Sequence, residues 1–138
     1  MRRDGIHRHL LASNSADGVD YEFPDFSPDG SHIVYERCID DGHECLTDDM
    51  LMRSNGRHKR VIEGAEGTQP VFSPNERRIA VVRRFDCVDL YELCGSRVFT
   101  VARGGGDAQV LTQPDAPSDG FTHFPLDSGP SWQPIPQP

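Results

Sequence analysis

The side chains best suited to chemistry in this chain are four cysteines, set as two matched pairs. Cys38 and Cys45 enclose Ile39 to Glu44; Cys87 and Cys94 enclose Val88 to Leu93. Four cysteines allow three pairings. The equal spacing favours Cys38–Cys45 with Cys87–Cys94, each closing its own short loop. Such small loops would contribute roughly 2–3 kcal/mol by chain entropy, and disulfides would imply an oxidising compartment. Free thiols and a metal site are the rival readings. Cys38, Asp40, Asp41, His43 and Cys45 carry ligand atoms, but structural zinc sites favour a closer cysteine spacing. Asp40-Asp41 and Asp48-Asp49 are candidate calcium carboxylates. Neither follows a calcium-loop pattern, so solvated acidic loops are expected.

Other chemistries find no purchase. The chain has no G-x-S-x-G elbow, Walker-type phosphate loop or H-E-x-x-H. Gly104-Gly105-Gly106 follows an apolar stretch but opens no helical pattern, so it reads as a hairpin turn. His7 and His58 read as exposed strand residues. Arg53, Arg57, Lys59 and Arg60, with Arg77, Arg78, Arg83 and Arg84, form a basic middle that reads as solvated surface, with an acidic partner as the alternative. The net charge of −8 over 138 residues argues against nucleic acid as a partner. No apolar run is long enough for membrane insertion. Met1-Arg2-Arg3 is followed by Ile6 to Ala12, which His7, Arg8 and His9 interrupt, so it does not read as a secretory leader. No catalytic residue, cofactor or metal ligand is nominated.

The elements that must position these residues are short strands. Ile33-Val34-Tyr35, Met50-Leu51-Met52, Ile79-Ala80-Val81-Val82 and Val98-Phe99-Thr100-Val101 have strand length and β-prone composition, and turn residues flank them. The chain also repeats itself. Pro24-Asp25-Phe26-Ser27-Pro28-Asp29-Gly30 returns as Pro70-Val71-Phe72-Ser73-Pro74-Asn75-Glu76, an offset of 46. From Pro24 to Arg37 six of 14 positions are identical, with no gap. A three-residue insertion near Arg84 to Asp86 moves the offset to 49, which aligns Cys38 with Cys87, Cys45 with Cys94 and Asn55-Gly56 with Gly104-Gly105. Met1 to Leu11 aligns with Met52 to Ile62. Pro130-Ser131-Trp132-Gln133-Pro134 aligns with Pro24 to Pro28.

Each unit predicts four strands. In the first they run about Glu22–Phe26, His32–Tyr35, Asp49–Arg53 and His58–Ile62. In the second they run about Gln69–Phe72, Arg78–Val82, Arg97–Ala102 and Ala108–Thr112. Pro28-Asp29-Gly30 suits a tight turn, with Pro fixing φ and Gly closing it. Asn75-Glu76 lacks that Gly, which predicts a looser second turn. Asn55-Gly56 is a strong hairpin signal.

Four-stranded units at this period read as blades of a β-propeller. Phe-Ser-Pro-Asp-Gly, an Ile-Val-Tyr strand and a later Asn-Gly hairpin resemble the TolB-type propeller repeat. The resemblance covers nearly the whole chain and makes the expected fold all-β. Residues 1–12 are the end of one blade, 22–62 and 69–112 are full blades, and 130–134 is the first strand of a further one. Its motif residues are Pro24, Phe26, Ser27, Pro28, Asp29 and Gly30, then Pro70, Phe72, Ser73 and Pro74, then Pro130 and Trp132. Phe26, Phe72 and Trp132 are expected in the core between blades. Two full blades do not close a ring, so the chain reads as part of a longer propeller, as a unit that self-associates to complete one, or as an open, marginal array.

The resemblance implies a non-catalytic protein-interaction module in an extracytoplasmic, periplasmic or secreted setting, its protein partner unidentified. The runners-up are the propeller of a larger enzyme, such as a prolyl-oligopeptidase-type peptidase, and a ligand- or metal-binding propeller. Gln113 to Ser128, with Phe121, His123 and Phe124, is the candidate contact loop. Pro134 to Pro138 reads as a polyproline-type exit.

Overall fold

The computed structural model describes residues 9–13, 18–40, 42, 45–88, 93–112 and 130–132, with side chains left aside at 84–88 and 93–95. Eight strands form among the described residues: β1 (Val19–Phe26), β2 (His32–Asp40), β3 (Cys45–Arg53), β4 (Arg60–Val61), β5 (Thr68–Phe72), β6 (Arg78–Val88), β7 (Leu93–Ala102) and β8 (Gln109–Val110). They make two antiparallel four-stranded sheets, β1-β2-β3-β4 (sheet 1) and β5-β6-β7-β8 (sheet 2). Among the described residues there is no helix long and apolar enough to cross a membrane. The all-β expectation holds. The middle strands are longer than expected because the hairpin ladders continue to the cysteines, and β4 and β8 keep only two paired residues each.

The repeat is reproduced in the ladder register at equivalent positions. Phe26 pairs with Ile33 and Phe72 with Ile79; Met50 pairs with Val61 and Phe99 with Val110. Both first strands carry a bulge at the same place, between Glu22 and Asp25 and between Thr68 and Val71. At each bulge the equivalent residue, Phe23 or Gln69, has positive φ, 49° or 55°. The insertion near Arg84 is absorbed as a further bulge between Phe85 and Val88.

The second turn is not looser than the first. Glu76 takes φ 59° where Gly30 takes 70°. The Glu76 N–H donates to Ser73 O at 2.9 Å, as Gly30 donates to Ser27 O at 2.7 Å. Asn75 Oδ1 stands in for Asp29 Oδ1, each accepting from a serine hydroxyl, Ser73 at 2.9 Å and Ser27 at 2.6 Å. These bonds hold the left-handed conformation against a cost of about 1 kcal/mol for a residue with a Cβ.

The sheets stack front to back. Val34 and Leu51 of sheet 1 pack with Ile62, Ala65, Phe72, Ile79, Val81 and Val101 in one core. Ile33, Tyr35, Met50 and Met52 lie on the opposite face of sheet 1, with Leu11 against them. By the repeat offset, Ile79 and Val81 are the counterparts of Ile33 and Tyr35. Sheet 2 therefore turns toward sheet 1 the same face that sheet 1 turns away. Period-2 alternation fixes this, because each strand's two side-chain sets point to opposite faces.

Candidate functional site

The first strands of the two sheets run close together and share an open groove. One part, about 450 Å³, is lined by Phe23, Pro24, Asp25, Gln69, Pro70, Val71 and Pro130. The adjoining part, about 400 Å³, is lined by Phe26, Pro28, Phe72, Pro74, Ser131 and Trp132, and shares Asp25, Val71 and Pro130. All three copies of the Pro-x-aromatic motif thus meet at one place. Pro24 and Pro70 sit on sheet-edge strands, where a residue without N–H blunts strand pairing. The turn serines Ser27 and Ser73, which follow Phe26 and Phe72 in the chain, are buried.

The three aromatics do not share one environment. Phe72 is buried in the inter-sheet core at 5% exposure, as expected. Phe26 is 58% exposed, contrary to expectation, and Trp132 is 36% exposed. The reason is the front-to-back order. Phe72 lies on the face that meets sheet 1; Phe26 holds the same position on the face that sheet 1 turns away.

The seam between the sheets is held by carboxylates. Asp25 Oδ2 accepts the Phe72 N–H at 2.8 Å. Asp49 Oδ2 accepts the Gly67 N–H at 2.9 Å. Glu36 Oε2 accepts the Gln69 N–H at 3.4 Å. Glu36 and Asp49 are direct cross-strand partners, and both are buried. Burial pushes the Asp49 carboxyl up to about 6, and Glu36 adds to the rise, while the Gly67 N–H and Arg83 oppose it. Its Oδ1 has no hydrogen-bond partner among the described residues. The sequence carries a signal for this seam outside the repeat motif. The repeat counterparts of Asp25, Glu36 and Asp49 are Val71, Val82 and Val98. Three acids facing three valines mark a contact made once.

At the turn end of the seam a second set of polar contacts joins the sheets. The Asp29 N–H donates to Glu76 Oε1 at 2.6 Å, and Arg103 pairs with Glu76 at 3.6 Å. Arg103 Nη2 lies 2.8 Å from His32 Nδ1. Burial, then Arg103 itself, lowers the His32 pKa. Hydrogen bonds from Ser27, then from Ser31, hold Asp29 far below the usual carboxylate range.

Three residues of the basic middle make structural contacts. Arg78 binds Thr100 and Asp107, the latter at 2.6 Å. Arg83 donates to the Ala65 and Gly64 carbonyls and lies 4.6 Å over the Phe99 ring. Arg60 reaches the Arg103 carbonyl at 2.8 Å.

Cys38 and Cys45 are joined as a disulfide, with Cα atoms 5.5 Å apart. They sit on the β2–β3 ladder rather than in a free loop, since Cys38 pairs with Thr47 and Cys45 with Asp40. For Cys87 and Cys94 only the backbone is described. The register places Asp86 and Cys87 across from Cys94 at the bulge. Among the described residues no three His, Cys, Asp or Glu side chains are grouped to hold a metal ion. His7, Asp41, His43, the Gln113–Ser128 segment with Phe121, His123 and Phe124, and Pro134 to Pro138 lie outside the described residues. No protein-family model matches the chain, and no curated protein matches it either.

Proposed function

We propose that the chain forms blades of a TolB-like β-propeller and acts as a non-catalytic protein-interaction module in an extracytoplasmic compartment. One observation carries the reading: sheets of equal register stack front to back, and their first strands, with Pro130–Trp132, gather around one groove. Radially arranged blades have that geometry, with the first strand of each nearest the axis. A groove lined by proline and aromatic rings, and by few charges, suits a polypeptide ligand better than a small polar substrate. The Cys38–Cys45 disulfide fits an oxidising compartment.

The test places a photo-crosslinking amino acid at Val71 in the groove and, as control, at Leu46, which is exposed on β3 away from it. In cells, one defined protein adduct from position 71 and none from position 46 is the expected result. Equal labelling from both positions, or adducts only after transfer to a reducing cytosol, would sink the reading.

A further inference from the structure

We infer that the turn end of the two sheets is a docking surface for a protein segment rich in Asp and Glu. The inference deepens the interaction-module reading and rests on it, naming the chemistry of a partner at a surface apart from the groove.

The repeat acts as an internal control. The β3–β4 and β7–β8 turns are closed by the same two bonds. The Gly56 N–H donates to Arg53 O and the Gly105 N–H to Ala102 O, both at 2.8 Å. The Arg53 N–H donates to Arg57 O and the Ala102 N–H to Gly106 O, both at 2.9 Å. Leu51 pairs with Arg60 as Thr100 pairs with Gln109. Yet the offset of 49 sets Arg53, Arg57, Lys59 and Arg60 against Ala102, Gly106, Ala108 and Gln109. The β7–β8 turn forms with no cation at these positions, so the turn does not require them. Arg77 likewise stands where the first sheet has Ser31.

The charges are open and contiguous. Arg53, Arg57, Lys59 and Arg77 are exposed, and their side chains have no ion-pair partner among the described residues. Arg60 joins the two turns through the Arg103 carbonyl at 2.8 Å, and the Arg103 N–H meets the Arg77 carbonyl at 2.9 Å. After burial and Arg103, Arg53 also disfavours protonation of His32, which sets its charge near that ring. Six of the chain's 14 Lys and Arg thus gather here, against Asp29, Glu63 and Glu76 from its 22 acids. Asp29 is already bonded by Ser27 and Ser31, and Glu76 by the Asp29 N–H and Arg103. A chain of net charge −8 therefore carries one positive end.

Blades stack through sheet faces, as these two sheets do, and their turns lie beyond the strand ends. A neighbouring blade on either side leaves this surface open. An acidic protein segment suits it better than nucleic acid or an anionic membrane. Outside the patch the chain has eight Lys and Arg against 19 Asp and Glu, which repel a polyanion that extends past it.

The test is an amide NMR titration of the full chain at low salt. The probe is a soluble peptide alternating Asp and Ser. Its controls are the Asn-Ser peptide, an RNA oligonucleotide and phosphatidylcholine vesicles containing phosphatidylserine. The Asp peptide should move the Arg53, Arg57, Lys59 and Arg77 amides, and added salt should weaken it by screening exposed charges. Arg57→Gln with Lys59→Gln should weaken binding about fivefold, the scale of two exposed ion pairs. Leu46→Glu also lowers the net charge, but at the far end of β3, and should leave binding unchanged. Equal response to the Asn peptide, RNA or vesicles would overturn the inference. So would equal weakening by Leu46→Glu, or the same shifts on concentrating the chain alone, which would assign the surface to a second copy. Crosslinking at Val71 with silent turn amides would overturn this inference alone. Failure of both would remove the interaction-module reading as well.

Discussion

Replacing Asp49 by Asn should stabilise the protein at neutral pH and do little in mild acid. Asp49 is buried between the sheets at 1% exposure, with Glu36 directly across the ladder. Its carboxyl is pushed from 3.8 to about 6, first by burial and then by Glu36. A raised carboxylate pKa means that folding favours the neutral form. The stability it confers is fully present below pH 3.8 and is lost as pH rises through about 6. The gap between those values corresponds to about 3 kcal/mol lost by pH 7, roughly half of it already by pH 5. Asn retains a side-chain oxygen for the Gly67 N–H and never ionises. It also places an NH₂ group where Oδ1 has no partner, next to Glu36. Urea unfolding followed by far-UV circular dichroism, for both proteins from pH 4 to pH 8, measures the difference. Groups that titrate alike in both cancel, so the difference isolates Asp49. An Asn variant less stable at pH 7, or a difference that does not change with pH, would refute the reasoning.

Three further outcomes are expected. Cys38→Ser with Cys45→Ser should cost roughly 2 kcal/mol under oxidising conditions and nothing under reductant, the size set by a sequence separation of 7; thiol-alkylation mass shifts before unfolding check that the bond was present. Gly67→Ala should destabilise by roughly 1–3 kcal/mol, because a Cβ there would stand 2.8 Å from both Val81 Cβ and Val82 O; thermal unfolding reads it, and an unchanged midpoint would show that the seam yields. Glu76→Ala should be less stable than Glu76→Gly by about 1 kcal/mol. Both lose the contacts to Asp29 and Arg103, and only Gly relieves the left-handed φ of 59°. Equal stability in denaturant titrations would place the strain elsewhere.

Much of the fold was legible in the chain. Short apolar runs bounded by turn residues announced strands, and the offset of 46, then 49, aligned pairs that prove to share ladder register. Hydrogen-bonded turns are local, so Ser27 to Gly30 and Asn55-Gly56 specify them without help from distant residues. The second turn was misjudged at Glu76 because the bonds from Ser73 and Asn75 oppose the missing glycine. Those bonds are local too, but their strength depends on geometry rather than residue type.

The seam was decided by tertiary structure. Asp25, Glu36 and Asp49 read as ordinary acids in a chain rich in them. Only front-to-back stacking brings them to the N–H groups of Phe72, Gln69 and Gly67. The same stacking buries Phe72 and leaves Phe26 in solvent, although the motif around them is shared. Which side chains share a face follows from residue order alone, since strand alternation is a property of the backbone. Which face met another sheet depended on burial, a non-local quantity, and it separated a core phenylalanine from an exposed one.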